Sequence, residues 1–263
     1  MRVTLLQIEV RDEEPLPERV DRVAALVAEQ SDTDLVVLPE LWPHGAFASG
    51  RWAAEAEPLD GPVVTALRAA AKAFGGHLHA GSLVERDQAG RLYNCSVLLG
   101  PDGATVATYR KIHRFGFTEG EARLVDRGDQ PVTVALPTTR LGLATCYDLR
   151  FPELFRLLVD AGAQTLCVPA GWPAARLEHW RLLLRARAVE SQAYVLGCGT
   201  AGSHAGVAMA GHSMVVDPWG EVLAEAGAGA QALTVELDPG QVARVRAEFP
   251  VLRDRVLGLP APG

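Results

Sequence analysis

Leu141 to Glu153 reads LGLATCYDLRFPE, an apolar run ending on Cys146 and followed almost at once by Pro152, which can open a helix. A thiol on such a strand-to-helix turn leaves the next backbone N–H groups pointing outward, near a helix N-terminus, where a thiolate or an oxyanion is stabilised. That geometry suits an acyl-transferring nucleophile. A buried structural cysteine fits the same letters, because free cysteines behave as small hydrophobes. The neighbouring segments have to separate the two.

Upstream, Val3 to Val10 has the character of a strand. From Pro17 onward, Val20, Val23, Ala24 and Val27 recur at three- and four-residue spacing and predict a helix to about Gln30. DLVVLPE, starting at Asp34, is a continuous apolar run, as in a strand covered on both faces, and Pro39 ends it just before Glu40. A helix from about Gly61 to Phe74 is closed by Gly75-Gly76, and HLHAGSLVE follows as a strand. RLYNCSVLLG and ATVATYRK form a hairpin around Pro101-Asp102-Gly103, which delivers Lys111 to the end of its second strand. HRFGFTEGEARLVDRGD has no period and is expected to be a loop long enough to cover a site.

Strands at Pro131 to Leu136 and at Leu141 to Cys146 lead into a helix at Phe151 to Gly162. TLCVPAGW is a further buried strand, Leu177 to Gln192 a helix and AYVLGCGT a strand. GHSMVVDPWGEVLAEAG and QALTVELD hold the last strands, before a helix from about Pro239 to Glu248. This alternation predicts a layered α/β domain. With 263 residues, 48% hydrophobic, and no linker, one domain over 1–263 is expected.

A net charge of -7 without a basic stripe argues against nucleic acid or an anionic membrane as partner. No apolar run approaches the roughly 20 residues of a membrane span, and the opening VTLLQIEV resembles a strand rather than a secretory leader, so a cytoplasmic protein is expected. Cys95, Cys146, Cys167 and Cys198 are widely spaced, as reduced thiols are.

Glu40, Lys111 and Cys146 stand out because each closes a predicted strand, and a carboxylate, an ammonium and a thiol can serve as base, oxyanion partner and nucleophile. Taken singly, the glutamate and the lysine are more often solvated charges. Other candidates are weaker. GCGTAG, Gly197 to Gly202, matches a dinucleotide-binding fingerprint, but no helical period follows it. His77 and His79 share a strand face without a third metal ligand, and Cys146 with His113 or His179 lacks the flanking residues of a papain-like site. Asp148, Arg150 and Glu153 are expected to form an ion network that fixes the turn.

LPELWP around Glu40, YRKIHRFGF around Lys111 and TCYDLRFPE around Cys146 resemble, in order, the three signature motifs of the nitrilase superfamily of carbon-nitrogen hydrolases. AGWP, HWRLLLRARAVESQAYV and GHSMVVDPWGEVLA extend the likeness over nearly the whole chain, with the omega-amidase-like branch the nearest in character. The resemblance implies an α/β fold of four-layer αββα type and hydrolysis of a small amide through a cysteine thioester, with nitrile or N-carbamoyl hydrolysis, or a silent module on the same fold, as alternatives. It makes Glu40 the general base, Lys111 the stabiliser of the tetrahedral intermediate and Cys146 the nucleophile, with the backbone N–H of Tyr147 in the oxyanion site. It also implies a second glutamate after the lysine; Glu121 fits the pattern better than Glu119. Trp172, in AGWP, is expected to bind substrate. No metal or cofactor is expected. The family commonly pairs its subunits, and FPVLRDRVLGLPAPG, the 249–263 tail, carries Phe249, Val251, Leu252, Val256, Leu257 and Leu259, so a homodimer or larger assembly packing this tail on a partner is expected. The alternative is a tail folded over its own subunit.

Overall fold

The computed structural model describes residues 1–116 and 120–258. Its first half runs β1 (Arg2–Gln7), α1 (Leu16–Ala28), β2 (Leu35–Val37), α2 (Ser49–Glu55), α3 (Pro62–Phe74), β3 (His77–Arg86), β4 (Leu92–Leu99), β5 (Thr105–Arg110) and α4 (Glu121–Leu124). The second half runs β6 (Val132–Leu136), β7 (Thr139–Leu143), α5 (Pro152–Asp160), β8 (Thr165–Ala170), α6 (Leu177–Ser191), β9 (Tyr194–Gly199), β10 (Ser203–His204), β11 (Val207–Ala208), β12 (Met214–Val216), β13 (Val222–Glu225), β14 (Gln231–Glu236) and α7 (Gln241–Glu248).

Two six-stranded sheets result, ordered β14-β1-β2-β3-β4-β5 and β13-β12-β9-β8-β7-β6. In each, parallel pairing of three central strands gives way to antiparallel edges: β1, β2 and β3 in one, β7, β8 and β9 in the other. The alternation within the short β2 explains the layering. Leu35 and Val37 join Val3 and Leu5 in a core shared with the second sheet, whereas Val36 points the other way, onto the cluster formed with α1 and α3. Phe155, Trp180 and Leu184 of α5 and α6 cover the second sheet from outside. The order of layers is therefore αββα, as the resemblance implies.

Two sequence expectations are corrected. The strand before Cys146 stops at Leu143, and a short 3-10 turn spans Cys146–Arg150. The segment expected as a loop holds α4, and α2 and the β10–β11 ribbon went unforeseen, since elements this short carry too few residues for a period. Gly197 and Gly199 lead into the ribbon, not a helix, and serve close packing: a side chain on Gly197 would meet Leu184 and Trp180.

Candidate active site

Glu40, Lys111 and Cys146 lie beyond strand ends, where open α/β sheets usually hold their ligands, and Glu121 opens α4 in the same pocket. Glu40 lies three residues past β2, Lys111 directly after β5, and Cys146 three residues past β7. Local chemistry aims them. Gly81, at φ +66°, lets β3 bulge so closely past the Pro39 carbonyl that a Cβ would stand 1.9 Å from its oxygen. Beside it, Ser82 accepts the Leu41 N–H on its hydroxyl at 3.0 Å, and the Trp42 indole donates to the Ala80 carbonyl at 2.9 Å. The two residues that follow Glu40 are thereby tied down.

Cys146 adopts φ +47°, a left-handed conformation costly for a residue with a Cβ, and the turn behind it is tied tightly enough to hold it there. Asp148 accepts the Thr145 N–H at 2.9 Å, the Tyr109 hydroxyl at 2.7 Å and the His113 N–H at 2.9 Å. The expected ion network is thus replaced by hydrogen bonds to Asp148 alone. Arg150 turns away towards the pocket, and Glu153 is exposed. His113 bonds Asp148 through Nδ1 at 2.7 Å and stacks on Phe151, and the His179 ring meets Arg150, so both histidines have partners other than Cys146. His79 is fully buried, and burial lowers its pKa to about 4, so it is a neutral core group accepting the Gly81 N–H at 3.2 Å.

Glu40, Lys111 and Glu121 are at most 3% exposed, and Cys146 is 8% exposed. The Lys111 ammonium donates to Glu40 Oε1 at 2.7 Å and to Glu121 Oε2 at 2.6 Å. Asn94 donates its amide to the same two carboxylates, at 2.9 and 2.6 Å, and the Phe115 N–H reaches Glu121 Oε2 at 2.7 Å. Glu40 Oε2 accepts the Gly171 N–H at 2.9 Å. Glycine is needed there, because a Cβ would lie 2.4 Å from that of Ala46.

These contacts divide the labour between the two carboxylates. Burial raises the pKa of Glu40, but the charge and hydrogen bond of Lys111, helped by Gly171, pull it below the ordinary carboxylate value. Burial raises that of Glu121, and Lys111 offsets this only in part because the Glu40 charge pushes the same way. Lys111 loses by burial and gains more from its two carboxylates, so it stays charged. Burial, then the nearby Glu40 charge, pushes the Cys146 thiol well up, so it rests protonated beside Glu40. A neutral thiol beside an ionised carboxylate is the arrangement that a nucleophile and its base require. The Tyr147 N–H, in the first turn after Cys146, has no acceptor among the described residues, as an oxyanion donor requires.

A cavity of about 340 Å³ opens onto these groups. Phe47, Trp52, Phe115, Tyr147 and Trp172 supply aromatic walls, and Arg150 and Arg176 add two cations. Glu119 lies outside the described residues. Asn94, Arg150 and Arg176 were missed by sequence reasoning. Asn94 had a signal, since asparagine is depleted in strands and here interrupts an apolar one; Arg176, in a stretch without period, had none.

A family model described as carbon-nitrogen hydrolase matches residues 2–247. The chain belongs to the carbon-nitrogen hydrolase family. It is 41% identical over 260 residues to the 2-oxoglutaramate amidase of Paenarthrobacter nicotinovorans, covering 96% of this chain and 88% of that protein. Against the omega-amidase NIT2 of Homo sapiens the identity is 35% over 270 residues, with 97% and 94% covered. The crystal structure of a CN-hydrolase superfamily protein of Xanthomonas campestris superposes with a TM-score of 0.90 at 30% identity, covering 99% of this chain and 98% of that one. As a member of this family, the chain is an enzyme that hydrolyses the carbon-nitrogen bond of amides.

Proposed function

We propose that the chain releases ammonia from the terminal amide of a short acyl chain whose other end is a carboxylate, 2-oxoglutaramate being the substrate its relatives' names point to. The observation that carries this reading is the composition of the pocket: a buried Glu40–Lys111–Cys146 constellation together with two arginines, Arg150 and Arg176, neither ion-paired to a carboxylate among the described residues. A neutral amide would leave both cations unanswered. An amide with a carboxylate gives them an acceptor.

In this mechanism Cys146 Sγ attacks the amide carbon while its proton passes to Glu40. The oxyanion is held by the Lys111 ammonium and the Tyr147 N–H. As the carbon-nitrogen bond breaks, Glu40 returns the proton to the departing ammonia and a thioester remains. Water then attacks the thioester carbonyl, Glu40 takes its proton, and collapse expels the Cys146 sulfur, which recovers that proton as the acid leaves. Glu121 holds Lys111 from the far side, and Trp172 forms part of the substrate's wall.

Nitrile and N-carbamoyl substrates would use the same thiol, but they give no account of two arginines. A silent module needs none of the buried charges. Ammonia release from 2-oxoglutaramate, glutaramate, a short nitrile and an N-carbamoyl amino acid tests the reading: turnover is expected with the two carboxylate-bearing amides, and a panel in which only nitrile or carbamoyl compounds react would refute it.

The catalytic unit, on this reading, spans 1–263 and works in the cytoplasm, where four free thiols stay reduced. Among the described residues no helix is long and apolar enough to cross a membrane. We assign it a homodimer. Leu182 and Val189 of α6, Trp219 and Phe249 are large, apolar and exposed, and Val256 and Leu257 follow in the tail. Phe249 stacks on Trp219 and Arg255 pairs with Asp160, so the tail begins on its own subunit and extends this apolar face. Leu259 lies outside the described residues. Light scattering at micromolar concentration should return twice the monomer mass; a monomer would refute the assignment.

A further inference from the structure

We propose that Arg176 is the residue that selects amides with a negatively charged acyl end, a role that rests on the amidase reading above. The two pocket arginines are not equivalent. The Arg150 guanidinium lies 4.9 Å from the centre of the Trp172 ring and donates to His179 Nδ1 at 3.3 Å, so it is engaged on two sides. Among the described residues the Arg176 side chain makes no hydrogen bond or ion pair, and its guanidinium carbon lies 5.7 Å from the centre of the Phe115 ring. A ring face attracts a guanidinium but satisfies none of its N–H donors, whereas a carboxylate takes two of them in parallel.

The backbone under Arg176 is fixed while its head is not. Its carbonyl accepts the Trp172 indole N–H at 2.8 Å, and its own N–H donates to the Pro173 carbonyl at 3.0 Å. At the other end, Phe115 is tied to the reacting groups, because its N–H donates to the Glu121 carboxylate that holds Lys111. The ring on which Arg176 rests therefore keeps a set place relative to the catalytic lysine. A guanidinium parked on that ring, half out of water and with its donors unspent, exchanges a weak partner for a strong one when a carboxylate enters. Arg176 in this role touches the substrate's far end, and takes no part in the bond-breaking steps.

Steady-state kinetics with glutaramate and with pentanamide, its neutral counterpart, test the assignment on the wild type, Arg176→Gln and Arg176→Lys. Wild type should favour glutaramate. Arg176→Gln should raise KM for glutaramate by roughly 10- to 100-fold, the usual range for losing a hydrogen bond to a charged group, with kcat within a few-fold. Its kcat/KM for pentanamide should fall far less than that for glutaramate, and a thermal unfolding midpoint matching the wild type shows separately that the variant is folded. Arg176→Lys should recover part of the loss. Equal losses on both amides would mean that Arg176 merely shapes the wall, and unchanged kinetics on both that it does not touch substrate; either overturns the proposal. A wild type indifferent to the carboxylate would overturn the underlying reading of an anionic substrate as well, whereas a preference that survives Arg176→Gln would overturn the role of Arg176 alone.

Discussion

Cys146→Ala is expected to lower kcat by at least about 10⁴-fold, the scale seen when a covalent nucleophile is removed, while the protein still folds. The reason lies in how the thiol is kept. It is buried beside the Glu40 carboxylate, both effects hold its proton on, and only transfer of that proton to Glu40 makes the sulfur a nucleophile. Glu40→Gln preserves the shape but removes the acceptor, so it should approach the same loss. The double variant should be no slower than Cys146→Ala, because base and nucleophile act in one step and cannot be lost twice. Ammonia release by the three variants checks this. Retention of more than a few per cent of wild-type rate by Cys146→Ala, or a double variant far slower than either single one, would sink the shared mechanism. Iodoacetamide offers a second view: Cys95, Cys167 and Cys198 lie within strands at 0% exposure, whereas Cys146 lines the cavity, so the first adduct should map to Cys146.

The layered fold was legible because its strands follow simple rules. A three-residue strand such as Leu35–Val37, buried on both faces, can be apolar at every position only inside a stack of layers, and the glycines that end helices mark where each layer turns. Glu40, Lys111 and Cys146 were visible for a related reason: a charged or reactive side chain at the end of an apolar run has left the ladder and is free for chemistry. The strand ends alone do not reveal what brings them together. Asn94 lies 54 residues from Glu40 and 27 from Glu121, and its bridging of the two arises from the register of β4 beside β5. The sequence suggests an ion network of Asp148, Arg150 and Glu153, yet the turn carries Asp148 and Arg150 to different surroundings. Register and turn geometry are three-dimensional facts, and they decide which charges meet.

Lys111→Met is expected to destabilise the fold by about 3–5 kcal/mol, in addition to abolishing turnover, because it leaves two buried carboxylates without their cation. In the wild type the ammonium lies between Glu40 Oε1 and Glu121 Oε2, at 2.7 and 2.6 Å, and all three groups are almost fully shielded from water. Methionine keeps the length of the side chain and fills the same space, so the effect reports the lost charge rather than a cavity. Without it, burial and mutual repulsion should raise the pKa of both carboxyls above 4.5, the value they have when unfolded. A carboxyl that keeps its proton in the folded state after the unfolded chain has lost its own favours the folded state less and less as pH rises. The gap between variant and wild type should therefore be wider at pH 8 than at pH 5. Urea unfolding at the two pH values measures it. A variant as stable as the wild type at pH 8, or a gap that widens on acidification, would show that Lys111 is not what makes two buried carboxylates tolerable in this core.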